Sequence, residues 1–149
     1  MSSHFTGKIA GTVFTVYIQA LVIIFFTKLV YNVNWGSNMA QVLFIAFTLA
    51  VFSVSMGLMT VMVAKDVKIA NAALSTIIPV MTFISGGYVW IRIESSLLDL
   101  LPSKLVHTAF FNSIYGEFAG QTISSVAILW VMILLMGIVS VIAGRRRLN

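Results

Sequence analysis

The chain has 149 residues, of which 60% are hydrophobic and 9% charged, with a mean hydropathy of +1.05 and a formal charge of +5. Ordinary soluble domains carry about a quarter of their residues as charges, so a water-soluble fold of this length is excluded. The absence of cysteine removes disulfides, thiolate metal sites and thiol nucleophiles from consideration, and leaves the redox compartment unreadable.

Four stretches contain no Asp, Glu, Lys or Arg: residues 9–27, 39–64, 69–91 and 118–144. A bilayer core about 30 Å thick needs about 20 such residues when an α-helix rises 1.5 Å per residue. The expected fold class is therefore an all-α integral membrane protein: one transmembrane domain over residues 1–149, with spans near 9–31, 39–64, 69–91 and 118–144. The first stretch is too long for the apolar region of a signal peptide, and no small-residue cleavage site follows it, so it is expected to stay in the membrane.

In chain order, span 1 follows a frayed start and ends with Lys28, whose stem can snorkel to the interface. Residues 32–38, with Asn32, Asn34, Trp35, Gly36 and Asn38 beside Tyr31, predict a short outer loop. Span 2 carries Ser53, Ser55, Gly57 and Thr60, small or hydroxylated residues that predict a closely packed helix face. The turn Lys65, Asp66, Val67, Lys68 is short enough to make spans 2 and 3 antiparallel neighbours. Pro79 and the pair Gly86, Gly87 predict a kink or break in the outer half of span 3.

Residues 92–117 alternate apolar and charged positions at helical spacing. Two short amphipathic helices divided near Pro102 fit, lying on the outer interface or dipping in and out of the membrane. Span 4 stops at Arg145, Arg146, Arg147. Lys8, Lys65, Lys68 and these arginines share one side with the single acid Asp66. The other side holds Lys28, Arg92 and Lys104 against Glu94, Asp99 and Glu117. Positive charge is retained in cytoplasmic loops, so both termini are expected in the cytoplasm. The basic excess is a topology signal, and no nucleic-acid partner is expected.

Chemistry has little to work with. His4 and His107 have no second His, Cys or carboxylate at ligand spacing, which argues against zinc. Glu117 reads as a helix-start acid. No acid sits mid-span, which argues against a proton-coupled exchanger of the small multidrug type. The span serines, among them Ser75, Ser124, Ser125 and Ser140, lack a buried base. No Walker phosphate loop is present. The chain is expected to bind no cofactor or metal and to catalyse nothing itself.

The ordered features are a Gly7-Lys8 start, an Asn34-Trp35-Gly36 loop, and a span ending at Gly57-Leu58 with a short basic turn. They continue with a span closing on Ile84, Ser85, Gly86, Gly87, a Leu101-Pro102 element, and a final span with an arginine tail. Together they resemble the C-terminal half of an ABC-2 type exporter permease, over essentially the whole chain. The resemblance implies that these spans are the third to sixth of six, and that the paired short helices are the family's re-entrant outer helices. The first two spans would belong to another chain or be missing. Family members often place an aromatic and a proline after the Leu-Pro element, whereas this chain has Ser103, Lys104 and later Phe110, Phe111, Asn112.

The resemblance further implies a multi-pass plasma-membrane protein, bacterial, among membrane lipids. Its partners would be a cytoplasmic ABC ATPase and a second permease subunit, with the substrate path between the two permeases. Ser85, Gly86, Gly87 and Asn112 would be outer-gate elements. Lys8, Lys65, Asp66 and Lys68 would face the ATPase, and the same basic turn also reads as a plain topology anchor. The competing expectation is a non-transporting four-helix membrane protein, such as an immunity or assembly factor.

Overall fold

The computed structural model describes residues 2–64, 66–85, 98–116 and 119–145. The helices are α1 (Ser2–Tyr31), α2 (Met39–Ala64), α3 (Val67–Ile84), α4 (Pro102–Tyr115) and α5 (Ala119–Arg145), with a 3-10 turn at Leu98–Leu100 before α4. Among the described residues there is no strand. Four of the helices, α1, α2, α3 and α5, are long and apolar enough to cross a membrane, which makes this a multi-pass membrane protein.

The termini of these helices carry their own local signals. Asn32 adopts φ 50°, and Val33 N–H reaches back to the Thr27 carbonyl at 3.2 Å, closing α1 on a left-handed residue. The Asn38 side chain accepts from Gln41 N–H at 3.2 Å and opens α2. Asp66 does the same for α3, accepting from Lys68 N–H at 2.8 Å. Gly116, at φ 72°, ends α4 in the left-handed conformation that glycine adopts without penalty.

Several boundaries differ from expectation. The helix of span 1 starts at Ser2, so the residues expected to fray continue it. α3 is continuous through Pro79 and ends at Ile84, seven residues before the expected limit; Ser85 closes it through N–H to the Met81 carbonyl at 3.0 Å. Pro79 costs one donor but is exposed, and a neighbouring turn tolerates the loss in a membrane helix. Gly86, Gly87 and the rest of 86–97 lie outside the described residues. Of the two amphipathic helices expected around Pro102, the second is α4; of the first, only the 3-10 turn at Leu98–Leu100 lies among the described residues.

α2 is the centre of the bundle. In its most apolar window 33% of the residues are buried, against 6% for α1, 6% for α3 and 11% for α5. α1 packs antiparallel to it: Ile24 is buried with Val42 and Ala46, and the Tyr17 and Phe47 rings meet edge to face at 5.4 Å. α5 runs parallel to α2. Phe52 is clustered with Leu129 and Ile133, and a Cβ on Gly144 would lie 3.9 Å from Met62 Sδ, so the same register holds to the ends of both helices.

The close approaches in the bundle use Ala46, Ala50, Ala109 and Ser125, all buried. The expected packed face at Ser53 and Gly57 is not used this way: Ser53 is exposed, and a Cβ on Gly57 would meet nothing within 4 Å. Sequence alone identifies small residues, but the rotational setting of α2 decides which of them meet a neighbour.

α4 occupies only half the depth of the bundle. Its Leu105 clusters with Phe52, Leu129 and Ile133, near the midpoints of α2 and α5. Its other end lies against loop 32–38: Trp35 and Phe110 rings are 6.4 Å apart, and Gly36 abuts the Ile114 backbone. The 14 residues of α4 cover about 21 Å at 1.5 Å per residue, which matches that half-depth.

The loop itself is held by Trp35 Nε1 donating to Thr27 Oγ1 at 3.1 Å and Gly36 N–H donating to Asn34 Oδ1 at 2.9 Å. At Gly36, φ is +80° and a Cβ would stand 2.8 Å from the Ile114 carbonyl oxygen. Gly36→Ala therefore combines a left-handed backbone penalty of about 1–2 kcal/mol with a clash against α4. We expect it to destabilise the detergent-solubilised protein by at least about that amount, read as a lowered thermal or denaturant midpoint; an unchanged midpoint would mean the loop does not clasp α4.

Candidate functional site

A partly open cleft of about 420 Å³ lies between α2, α3 and α4. Its walls follow from helical spacing. α2 contributes Leu49, Phe52, Ser53, Met56 and Gly57, α3 contributes Leu74, Ile78, Met81, Thr82 and Ser85, and α4 contributes Pro102, Ser103, Val106 and His107. Positions three and four apart share a helix face, so each helix offers one stripe to the cleft. Gly57 and Ser53, which no helix covers, leave the room that larger residues would fill.

The lining is mainly apolar. Thr82 Oγ1 donates to the Ile78 carbonyl at 2.8 Å and Ser85 Oγ donates to the Thr82 carbonyl at 2.9 Å, so both hydroxyls are turned to their own helix. The titratable side chain in the lining is His107. It is exposed and stacks on Phe111 at 6.0 Å, and Phe111 in turn lies 4.5 Å from Tyr115, giving α4 an aromatic row one turn apart.

Beside the cleft, Lys104 forms an ion pair with Asp99. Lys104 precedes Leu105, so the pair sits level with the middle of α2 and α5. The α4 N-terminus at this point is capped by no described side chain; Leu105 N–H returns to the Leu101 carbonyl at 3.0 Å, while the N–H groups of Ser103 and Lys104 precede the first such bond. Sequence reasoning kept Asp99 and Lys104 as outer charges balancing one another. Their depth was not readable, because spacing shows that a segment is helical but not how far it lies from the bundle's end.

The residues singled out as outer-gate elements are not gathered in one place. Ser85 lines the cleft. Asn112 is buried on the opposite face of α4, where its Nδ2 donates to Gln121 Oε1 of α5 at 3.3 Å. Ser113 Oγ beside it is buried and has no hydrogen-bond partner among the described residues. Gly86 and Gly87 lie outside the described residues.

Of the residues expected to face an ATPase, Asp66 caps α3 and Lys68 is exposed beside it. Lys65 lies outside the described residues. Lys8 is exposed on α1 but is not next to this turn: nine residues along each helix from the Tyr17–Phe47 contact, it comes level with Met56, two turns short of Ala64. Among the described residues there is no group of three His, Cys, Asp or Glu able to hold a metal ion.

Because Gly57 faces the cleft, Gly57→Ala should be accommodated without a clash and raise helix stability by up to about 1 kcal/mol. A large loss of thermal stability in that variant would place a helix against this face after all. Comparisons with family models, with curated proteins and with solved structures found no match.

Proposed function

We propose that the chain is a membrane-spanning permease subunit of an ATP-driven exporter of the ABC-2 type, in a bacterial plasma membrane. It would work with a cytoplasmic ATPase and a second permease subunit. The observation that carries this reading is α4: a half-depth helix leaning on α2 and α5 beside a cleft that the described residues leave open on one side. In a bilayer, such a helix is re-entrant from the outer face, and its inner end must meet protein or a water-filled cavity rather than lipid. A second subunit would supply protein there and close the path.

Two further features support the reading. The parallel sense of α2 and α5 puts Lys68 and Arg145 at the same end of the bundle, as cytoplasmic anchors for both termini require. The crossing helices have no mid-span acid, and Asp99, the described acid at mid-depth, is paired with Lys104, so this reading takes the energy from a partner. Ser85 remains the outer-gate candidate on the cleft, with Gly86 and Gly87 following it. Asn112 holds α4 to α5. Lys68, exposed beside the turn, would contact the ATPase together with its sequence neighbour Lys65, and Asp66 caps α3.

The affinity-tagged chain, purified in mild detergent from the cells that make it, should carry with it a nucleotide-binding subunit and vanadate-sensitive ATP hydrolysis. Recovery of the chain alone, with no such subunit or activity, would sink the exporter reading in favour of a non-transporting interaction protein. Reporter fusions at Asn34 should read outside and at Asp66 inside; the reverse would overturn the sidedness.

A further inference from the structure

We propose that the α4 side of the bundle faces water and not lipid, and that the cleft takes the apolar part of an amphipathic solute whose polar end lies at Ser103, His107 and the Asp99–Lys104 pair. This rests on the four helices crossing a bilayer and does not require the ATPase partner, so either reading can fail without the other.

The argument starts from depth. Leu105 packs against residues near the midpoints of α2 and α5, and the Asp99–Lys104 pair adjoins it. The Asp99 side chain is 64% exposed and that of Lys104 30%. A carboxylate open to hydrocarbon near the centre of a bilayer is expensive even when one neighbour neutralises it, because its remaining lone pairs find no donor. The first N–H groups of α4 lie at the same level with no described side chain capping them, and uncapped donors are equally ill placed in lipid. Water satisfies both.

The other faces at this depth look different. Val131, Leu134 and Leu135 on α5 and Phe14 on α1 are all exposed there, and all are apolar. Among the described residues, the exposed charges level with Leu105 are Asp99 and Lys104, on the side that holds the cleft; Lys8 on α1 lies about a turn nearer the inner end, level with Met56. The cleft matches the usual form of a small-molecule site, an apolar hollow of several hundred Å³ with a few polar groups at one end. The imidazole, the hydroxyl and the paired charges supply both donors and acceptors for a polar head, while Leu49, Met56, Leu74 and Ile78 receive an apolar tail.

The chain has no native cysteine, so single substitutions report alone. In membranes accessible from both faces, Ser103→Cys, His107→Cys and Ser53→Cys should react with a water-soluble maleimide, and Leu134→Cys at the same depth should stay unlabelled. Dodecylphosphocholine below its micellar concentration should protect Ser53→Cys. A membrane-impermeant amine reagent should modify Lys104 in the unaltered chain, read by mass spectrometry, which frees the result from any folding defect of the variants. Failure of Lys104 and of both α4 cysteines to react would show that lipid covers this face and overturn the proposal; labelling without protection by the amphiphile would overturn its solute half.

Discussion

α2 and α5 run side by side in the same direction, in contact from Phe52 beside Leu129 and Ile133 to Met62 beside Gly144. Lipid tails are as apolar as leucine, so nothing drives two spans together by hydrophobicity; close van der Waals packing must do it. Small buried residues on each helix, Ala50 on α2 and Ser125 on α5, suit that approach. α4 then rests on both helices at once through Leu105 and Ala109. α1 and α3 are laid on the outside of α2 and bury little.

This arrangement explains where polar groups are placed. Thr48 and Ser140 are buried in the spans, and each returns its hydroxyl to a carbonyl four residues earlier. Asn112 pairs across to Gln121. The exposed charges near mid-depth belong to the segment that opens α4, not to a span. A chain can thus keep the middles of α2, α3 and α5 free of charge and still bring an acid and a base to the centre of the bundle, on a short segment packed against α2 and α5.

The four spans were legible because a bilayer imposes one demand on sequence, about 20 residues without charge, and 39–64 and 118–144 match α2 and α5 to within about a residue. The Asn34-Trp35-Gly36 loop was legible as a turn, and its residues prove to have separate tasks: an Asx turn, a hydrogen bond to Thr27 and a close approach to Ile114. Which small residues pack was not legible. Ser53 and Gly57 look like Ala46 and Ala50 in composition, and only the angle of α2 against α5 separates cleft from contact. The site was half visible for the same reason: Ser85 was singled out, whereas His107 and the Asp99–Lys104 pair needed the depth of α4 to acquire meaning.

The parallel pairing of α2 with α5 also sets the order of biosynthesis. α2 begins at Met39 and its chief partner at Ala119, so about 80 residues must be added before the two can meet. At 5–20 residues per second this is roughly 4–16 s during which Phe52 lacks its partners Leu129 and Ile133. The central helix of the bundle is made early and completes its packing late. Its contacts with α5 form only when that helix arrives, so completion of the core is a late event of synthesis and depends on α5.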